Sequence, residues 1–255
     1  GEVTYDLTDS LTVAASMRHF DAESYLDGFS GTVWWPCGGG PSAAAQEASG
    51  VYRPTNNYGA DCADANRITA SKDEVYRVTA EWQATDDVMI YTAWGEGYRP
   101  GGLNRFCSVG NEADYGGQGR DDATGAGCDF VPDFLTSYEV GVKASLFDGR
   151  MVLNAAAFMQ EWDDFQFSRL DVAISPVTLT YNIGQATSDG FEADFSAMIS
   201  ENWSLTGGFS YIEAELSEDY YASDGLATPT AASGTTLPRV PDTKWNLSSR
   251  YSMDD

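Results

Sequence analysis

A strict two-residue alternation of apolar and polar side chains is the feature that most constrains the fold of this chain. In the segment 203–211, Trp203, Leu205 and Tyr211 share one parity, while serine, threonine and glycine fill the other. The same period recurs in four other segments, at 74–83, 138–146, 190–199 and 243–251. Successive side chains of a β-strand point to opposite faces, so each segment predicts a strand with one apolar and one polar face.

Nine strands are predicted, and the connections between them alternate in length. The strands are expected at 1–7, 11–24, 72–84, 88–99, 134–147, 151–167, 177–199, 203–216 and 238–252. The short connections carry hairpin-turn residues at 8–10, 85–87, 148–150 and 200–202. The long ones, rich in Gly, Ala, Ser, Asp, Asn and Pro, are 25–71, 100–133, 168–176 and 217–237. One end of the sheet therefore carries tight turns and the other carries long loops.

This pattern is typical of outer-membrane β-barrels, which have short periplasmic turns and long extracellular loops. A tilted strand of about 9–11 residues crosses the hydrocarbon, whereas a run of about 18 apolar residues, needed for a transmembrane helix, is absent. Aromatic residues lie near the strand ends on the apolar parity, as an aromatic girdle requires: Tyr5, Trp82, Tyr138, Trp203, Tyr211, Trp245 and Tyr251. We therefore predict an all-β, antiparallel transmembrane β-barrel, with a soluble β-sandwich as the alternative.

The polar parity is predicted to line the lumen, because a charge facing lipid near the membrane midplane would cost about 2–4 kcal/mol. The charged residues assigned to this lining are Arg18, Arg77, Glu81, Glu96, Glu139, Lys143, Asp164, Glu192, Asp194, Lys244 and Arg250. Their mixed signs suggest that they pair with one another or with something inside the barrel.

The strand at 88–99 mixes rings, glycines and charges, and its two parities are assigned as follows. The lumen side is predicted to carry Ile90, Thr92, Trp94 and Glu96, and the membrane side Tyr91, Ala93, Gly95 and Gly97. Pro100, Gly101 and Gly102 are expected to end the strand, because Pro lacks a backbone donor and Gly admits turn conformations. The segment is thus interpreted as the place where a barrel wall becomes an extracellular loop.

Nine strands do not close a bacterial barrel, which needs an even number of at least eight. The closing segment "YSMDD" (251–255) is another turn signal that asks for a following strand. An open sheet would leave unpaired backbone groups in the hydrocarbon. The chain is therefore expected to be a fragment of a longer barrel protein.

Four cysteines form two local pairs within polar, glycine-rich segments. Cys37 is followed by Cys62, and Cys107 is followed by Cys128. They lack the C-x-x-C spacing of zinc sites. Two disulfides in the long loops are the economical interpretation and indicate an oxidising compartment. Four cysteines allow three connectivities, so the local pairing is a preference among alternatives.

The charge balance excludes one class of partner. The chain has 39 Asp and Glu against 14 Lys and Arg, for a formal net charge of −25. Binding of nucleic acid requires a basic surface that neutralises phosphates, so no nucleic-acid partner is expected. Long-range electrostatic steering would instead favour cations.

Four stretches resemble one protein family, in the order expected for it. The segment "YTAWGEGYRPGGLN" (91–104) resembles a recurrent strand-to-loop motif of the TonB-dependent outer-membrane receptors. The others are "TSYEVGVKASLFDGRMVLNAAAFMQEWDDFQ" (136–166), "YNIGQATSDGFEADFSA" (181–197) and "LPRVPDTKWNLSSRY" (237–251). They lie in register across most of the chain, between residues 91 and 251, and resemble the later part of the receptor barrel.

The resemblance implies a 22-strand barrel plugged by an N-terminal domain, in line with the large plugged class of barrels. It implies binding of a scarce nutrient, often a ferric siderophore and sometimes haem, cobalamin or a sugar, and import driven through TonB. All of 1–255 is assigned to one barrel domain, and neither a plug nor a TonB box is expected in this chain. The implied partners are outer-membrane lipid and lipopolysaccharide, TonB through a region outside this chain, a small nutrient, and possible surface proteins. A passive porin and a structural or adhesive surface protein are the alternatives.

Ligand contacts are expected at the bases of the long loops, where a rigid scaffold presents binding residues. The candidates are Trp94, Glu96, Tyr98, Arg99, Asn104, Arg105 and Phe106, with Trp162 and Asp164 on a later strand. Aromatic rings can stack on a ligand, while Arg99 and Arg105 can pair with carboxylate or iron-chelate charge. For any single residue, membership of the aromatic belt or packing against a plug or neighbouring loop is the alternative.

No enzyme, cofactor or metal motif is found in the sequence. It has no Gly-rich phosphate loop, no nucleophile elbow and no histidine-based triad, so neither an enzyme nor a cofactor is predicted. His19, the single histidine, shares the parity of Leu11 and Met17, which places it on the apolar face and not in a haem site. The acidic run 119–129 lacks the ligand spacing of known calcium loops, and a solvated loop is expected there.

Overall fold

Thirteen strands make up the computed structural model, which describes residues 1–28, 65–104, 129–170, 178–221 and 227–253. They are β1 (Glu2–Thr8), β2 (Leu11–Gly28), β3 (Ala65–Thr85), β4 (Val88–Arg99), β5 (Gly102–Leu103), β6 (Asp129–Phe130), β7 (Asp133–Leu146), β8 (Met151–Asp163), β9 (Gln166–Arg169), β10 (Leu179–Asn182), β11 (Ala186–Ser200), β12 (Trp203–Leu216) and β13 (Thr243–Tyr251). No helix in these ranges is long and apolar enough to cross a membrane.

Nine of the described strands form one antiparallel sheet in the order β1-β2-β3-β4-β7-β8-β11-β12-β13. Each strand pairs with the next one along the chain, apart from the four short strands that lie at the loop end. The prediction of an all-β antiparallel sheet with nine long strands is confirmed. β1 and β13 are the two edges, and within the described residues the sheet does not close.

The short strands form two small sheets, β5 with β6 and β9 with β10. Two predicted strands, at 151–167 and 177–199, are wrong in extent, because each is broken in two. Asp164 adopts a positive φ of 54° between β8 and β9, and Gly184 a φ of 89° between β10 and β11. A left-handed backbone conformation cannot continue a β-ladder, so the chain turns away from the wall at both positions.

The β2–β3 hairpin is longer than predicted. Pairing between the two strands continues to Gly28 opposite Ala65, so their ends run well into the predicted loop 25–71. The tight connections at the opposite end lie where they are predicted. At the β7–β8 turn, Phe147 and Asp148 both have positive φ values, of 57° and 56°.

The ladder registers define two faces, because residues paired across strands point to the same side of a sheet. One row of partners crosses the whole sheet, through Asp6, Thr12, Glu81, Tyr91, Gly141, Ala156, Glu192, Ser210 and Lys244. We call the face that carries this row the inner face and the opposite one the outer face. The row starts beside a tight turn at Thr12 and lies in the middle of β11 at Glu192, so the strands are staggered as in a barrel wall.

Nine of the eleven predicted lumen charges share the inner face. These are Arg18, Arg77, Glu81, Glu139, Lys143, Glu192, Asp194, Lys244 and Arg250. Among the described residues, none of them forms an ion pair with another. The two exceptions are Glu96, which has outer-face parity, and Asp164, which lies in the break after β8.

The predicted aromatic girdle lies on the outer face. All seven residues share its parity, and all are exposed: Tyr5, Trp82, Tyr138, Trp203, Tyr211, Trp245 and Tyr251. Large rings that remain in contact with the surroundings on one side of a sheet are those expected at the membrane interfaces.

The predicted faces of β4 are wrong and are exchanged in the structure. Tyr91 lies opposite Glu81 and Gly141 on the inner face, and Trp94 lies opposite Tyr138 on the outer face. The Tyr91 hydroxyl donates to the Glu139 carboxylate at 2.6 Å, which satisfies its polar group on the charged side. The ring lies across Gly141, where a Cβ atom would stand 2.5 Å from it.

Candidate functional site

The β3–β4 seam, the line along which these two strands pair, opens towards the long-loop end. Pairing between them ends at Arg77 opposite Gly95. β3 continues beside β2 as far as Ala65, and β4 continues beside β7 as far as Arg99. The two strands therefore separate beyond Gly95, on the side of the long loops. We call residues 95–104, 129–135, 162–170 and 178–183 at this end the mouth.

A side chain occupies the point of separation. Glu96 and Tyr76 are the first residues of β4 and β3 beyond the last paired position. The Glu96 Oε2 atom accepts a hydrogen bond from the backbone N–H of Tyr76 at 3.1 Å. The Tyr76 N–H has no ladder partner on β4 at this point, so the carboxylate that accepts its hydrogen bond stabilises the open seam.

Beyond the separation, the end of β4 folds over the inner face of β2. The Tyr98 ring stacks on Phe20 with 3.4 Å between the ring centroids, and the Arg18 guanidinium lies 5.9 Å from the Tyr98 ring. Further along, the Ser24 hydroxyl donates to the Gly101 carbonyl at 3.3 Å. Phe20 is only 5% exposed, although it lies on a wall strand. The end of β4 therefore covers this part of the wall from inside.

Arg99 is held by an ion pair with a buried carboxylate. Its Nε atom lies 3.0 and 2.9 Å from the two carboxylate oxygens of Asp133, and its Nη2 atom contacts the same carboxylate. The side chain of Asp133 is 1% exposed and that of Arg99 is 49% exposed. The guanidinium also lies 5.3 Å from the Phe165 ring. The Arg99 charge is therefore already compensated within the chain, by a geometrically specific, charge-assisted contact.

Gln166, at the start of β9, ties three parts of the mouth together. Its side-chain amide donates to the carbonyls of Pro100 at 3.1 Å and Val131 at 3.0 Å. Its backbone N–H donates to the Asp133 carboxylate at 3.0 Å, and its carbonyl accepts from Arg99 at 3.2 Å. One residue thus joins the ends of β4, β6 and β9 without a backbone ladder between them.

Two asparagines make similar ties. The Asn182 amide donates to the carbonyls of Val131 at 3.1 Å and Asp164 at 2.6 Å, and its oxygen accepts from the Val131 N–H at 2.9 Å. The Asn104 amide donates to the Thr180 carbonyl and accepts from the Thr180 N–H, both at 2.8 Å. Asn104 is 5% exposed. An amide side chain that both donates and accepts imitates a strand neighbour, so these ties extend the backbone pairing.

A small apolar core lies behind these ties. Its buried members are Leu179, Tyr181, Ile183, Ala186 and Leu216, with Trp162, Phe165, Phe167, Tyr220, Ala231 and Leu237 packed against them. Trp162 meets Phe165 edge to face with 5.6 Å between centroids. Because Phe165 also lies under Arg99, the core connects directly to the ion pair.

The strand ends on the long-loop side are rich in carboxylates. On the outer face, Asp189 lies directly opposite Glu213, and His19 lies 3.6 Å from Glu74 in an exposed pair. On β2, the Glu23 carboxylate accepts a hydrogen bond from Tyr25 and thereby raises the pKa of the Tyr25 hydroxyl. Within the described ranges no cluster of three or more His, Cys, Asp or Glu could hold a metal ion.

A cleft of about 520 Å³ lies on the inner face below the mouth. Its charged and polar lining includes Arg77, Glu81, Tyr91, Glu139, Lys143 and Gln160. The Lys143 ammonium lies 5.4 Å from the Tyr91 ring centroid. Cations and carboxylates thus alternate along this stretch of the wall.

The structure brings together some of the predicted ligand residues and separates others. Tyr98, Arg99, Asn104 and Trp162 all lie in the mouth, each with its own partner: Phe20, Asp133, Thr180 and Phe165, respectively. Glu96 lies at the seam, Trp94 is on the outer face, and Asp164 contributes its carbonyl to Asn182 in the chain break. Arg105, Phe106, the four cysteines and residues 119–128 lie outside the described residues, so the predictions made for them stay predictions.

Three central residues of the mouth are missing from the predicted set: Asp133, Gln166 and Asn182. Asp133 follows Pro132 at the start of a strand, which is a weak signal for an exposed turn and not for a buried charge. Gln166 and Asn182 fall inside stretches that alternate like strands, so nothing in their spacing marks the breaks beside them. Only the pairing of β9 with β10 brings them together.

Comparison with known proteins identifies similar chains along the whole sequence. The family model described as "TonB dependent receptor-like, beta-barrel" matches residues 1–255. The chain is 24% identical over 180 residues to the "Probable TonB-dependent siderophore receptor PiuA" of Acinetobacter baumannii, covering 70% of this chain and 22% of that protein. It is 27% identical over 177 residues to the "Metal-pseudopaline receptor CntO" of Pseudomonas aeruginosa, covering 69% and 20%. The chain spans about a fifth of the length of these relatives.

Solved structures share the fold. The ferric yersiniabactin uptake receptor FyuA from Yersinia pestis superposes with a TM-score of 0.64 at 20% sequence identity. The match covers 100% of this chain and 30% of that receptor. The nine-stranded sheet is therefore similar to a segment of a larger barrel wall.

Proposed function

Because the chain belongs to the TonB-dependent receptor β-barrel family, we propose that it forms part of the wall of an importer that takes up a scarce nutrient with TonB-derived energy. One observation carries this proposal: the family model matches residues 1–255, and nine of the described strands form a sheet with a charged inner face and an aromatic outer face. The chain is an outer-membrane segment with its long loops on the extracellular side. The rest of the barrel, a plug and the TonB box would lie elsewhere in the complete protein.

The proposed cargo is a metal chelate, most simply an iron chelate. The names of the two relatives support this class, since one is a siderophore receptor and the other a metal-pseudopaline receptor. The further partners in this proposal are lipopolysaccharide around the outer face and TonB, which would act through a region outside this chain. Surface proteins that exploit the loops are a further class of partner.

The proposed ligand contacts are the mouth residues that stand inside the barrel, above all Tyr98, Arg99, Asn104 and Trp162. Arg99 contributes an exposed guanidinium edge and not an uncompensated charge, because Asp133 already neutralises it. Trp162 lies on the inner face, opposite Leu135 and Ala186, where its ring is positioned to bound the mouth. Aromatic and hydrogen-bonding contacts of this kind orient small ligands.

The test is growth of a strain in which the complete receptor is the single route for a defined ferric chelate. We expect growth on that chelate under iron limitation, loss of growth when the tonB gene is deleted, and loss of growth when the plug is removed. Growth that continues without TonB would instead indicate passive diffusion through a porin. Heat-modifiable gel migration of the complete protein checks the barrel itself.

Two matched tryptophan variants separate ligand binding from barrel assembly. Trp162→Ala removes an inner-face ring of the mouth and is expected to weaken binding of the ferric chelate. Trp245→Ala removes a 75% exposed ring on the outer face and is expected to leave that affinity unchanged. Equal affinities for both variants would show that Trp162 is not part of the ligand site.

A further inference from the structure

The β3–β4 seam has a second arrangement open to it. If its register continued above Arg77–Gly95, Tyr76 would lie opposite Glu96 and Val75 opposite Gly97. Tyr98 would then stand on the outer face, because it shares the parity of the outer residue Trp94. In the structure it packs instead against inner-face residues of β2. Tyr98 keeps outer-face parity on the β4–β7 ladder, opposite Phe134, in both arrangements, but it contacts β2 only when the seam is open.

Each arrangement has its own stabilising contacts. The closed seam would gain backbone hydrogen bonds between β3 and β4, which the described part of β3 above Arg77 makes only with β2. The open seam gains the Tyr98–Phe20 stack, the Ser24–Gly101 hydrogen bond and the acceptor that Glu96 offers to Tyr76. Each arrangement thus has stabilising contacts that the other lacks, as a two-state element requires.

The chain near the seam is suited to bending. Gly95 and Gly97 flank the point of separation, and glycine lowers the barrier to a change of strand direction. A Cβ at Gly97 would meet nothing closer than 3.9 Å, so no neighbour packs tightly against this backbone. On the far side, β4 is paired with β7 up to Arg99, whose ion pair with Asp133 locks the two strands together. β7 is in turn paired with β8 as far as Phe134 opposite Asp163, so β4, β7 and β8 would move as one unit.

From these observations we propose that the β3–β4 seam above Gly95 is a two-state hinge of the mouth, with Glu96 as the positioning residue that holds it open. The open state places Tyr98, Arg99 and Asn104 over the inner face, and the closed state withdraws them towards the wall. The consequence for nutrient binding rests on the proposed function, whereas the hinge itself does not. Glu96 thus acts on the ligand site by setting the position of its neighbours.

The test is disulfide cross-linking in the complete receptor in its outer membrane. The pair Val75→Cys with Gly97→Cys reports the closed seam, because these residues become partners only if the register continues. The pair Thr79→Cys with Ala93→Cys is the matched control, since these residues are already partners on the same ladder and the same face. The parent chain with its own cysteines gives the background rate. No ligand is added, so failure of import leaves this measurement unaffected.

We expect the control pair to cross-link rapidly in every background. The seam pair should cross-link slowly when Glu96 is present and several-fold faster in Glu96→Ala, which removes the acceptor for the Tyr76 N–H. Glu96→Gln keeps an acceptor oxygen and should stay close to the parent rate. A seam pair that reacts at the same rate in all three backgrounds, whether fast or not at all, would overturn the hinge. Rapid reaction of the control pair in Glu96→Ala shows that the wall remains folded in that variant.

Discussion

In the wall, neighbouring strands are joined by backbone pairing, whereas in the mouth side chains join elements that the ladder does not reach. β7 and β8 pair without interruption from Phe134 opposite Asp163 to Leu146 opposite Met151. In the mouth, Asp133, Gln166 and Asn182 make the connections between β4, β6, β9 and β10.

The difference predicts where single substitutions matter. A backbone ladder is independent of side-chain identity, so the wall requires only that each residue suits its face. The mouth depends on a few side chains with several partners each, and loss of one partner leaves buried polar groups unsatisfied. The expected exceptions are glycines of the wall at which an added side chain would collide with the backbone of a neighbouring strand.

The largest expected effect is at the centre of the mouth. Asp133→Ala leaves Arg99 and the Gln166 N–H without their buried acceptor. Breaking a buried ion pair costs about 3–5 kcal/mol, and because Arg99 is half exposed we expect the lower end of that range. Hydrogen exchange in the complete receptor should show the loss at the ends of β4, β7 and β9. Asp86→Ala, at an exposed tight turn, is the control, and equal effects of the two variants would contradict the assignment.

The next effect tests the exception in the wall. Gly190→Ala places a Cβ 2.8 Å from the Tyr211 carbonyl and 2.5 Å from the Phe158 ring, so the ladder itself must shift. We expect a loss of about 1–3 kcal/mol in the free energy of unfolding. Urea unfolding of the complete barrel measures it. Gly97→Ala, whose new Cβ would have its nearest neighbour at 3.9 Å, should be neutral by comparison.

A pair of glutamines compares the two regions with the residue type held constant. Gln166→Ala removes the side-chain hydrogen bonds to the Pro100 and Val131 carbonyls that hold the mouth together. We expect the local free energy of unfolding to fall by about 1–2 kcal/mol. Gln83→Ala also removes amide contacts with two backbone carbonyls, of Thr85 and Asp86, but beside an intact ladder. Local hydrogen exchange should change less at Gln83. A larger change there would reverse the comparison.

The smallest effect is expected at the tight-turn end. The Arg150 guanidinium donates to the carbonyls of Met198 at 3.1 Å and Ile199 at 2.8 Å, in an exposed position. Water can replace these bonds, so Arg150→Ala should cost about 0.5 kcal/mol in the free energy of unfolding. The urea midpoint of the complete barrel measures this change. A loss as large as that of Asp133→Ala would show that the turns carry stability of their own.

The fold could be predicted from the sequence because a barrel wall repeats one simple signal. The period of two, the turn residues and the ring-rich parity each depend on local sequence alone. The signal failed on β4, where both parities carry an aromatic residue, Tyr91 on one and Trp94 on the other. Period alone does not say which ring faces lipid. The answer depends on partners distant in sequence, Glu139 for the Tyr91 hydroxyl and Gly141 for the space its ring needs.

The mouth could be predicted only in part for the same reason. Aromatic and charged residues at loop bases pointed to Tyr98, Arg99 and Trp162, which do lie there. The partner of Arg99 could not be predicted, because Asp133 lies across a long connection and becomes buried only when β9 covers it. The breaks at Asp164 and Gly184 lie in stretches that alternate correctly, and a backbone turn leaves no trace in that alternation.

The stagger of the strands has a consequence for anything that passes along the inner face. The row of partners that starts beside a tight turn at Thr12 has climbed to the middle of the wall at Glu192. Residues that are neighbours across the sheet therefore stand at different depths in the membrane. The polar groups of this wall form a rising ramp and not a stack of level rings. A group moving along them would be turned about the barrel axis as it advances.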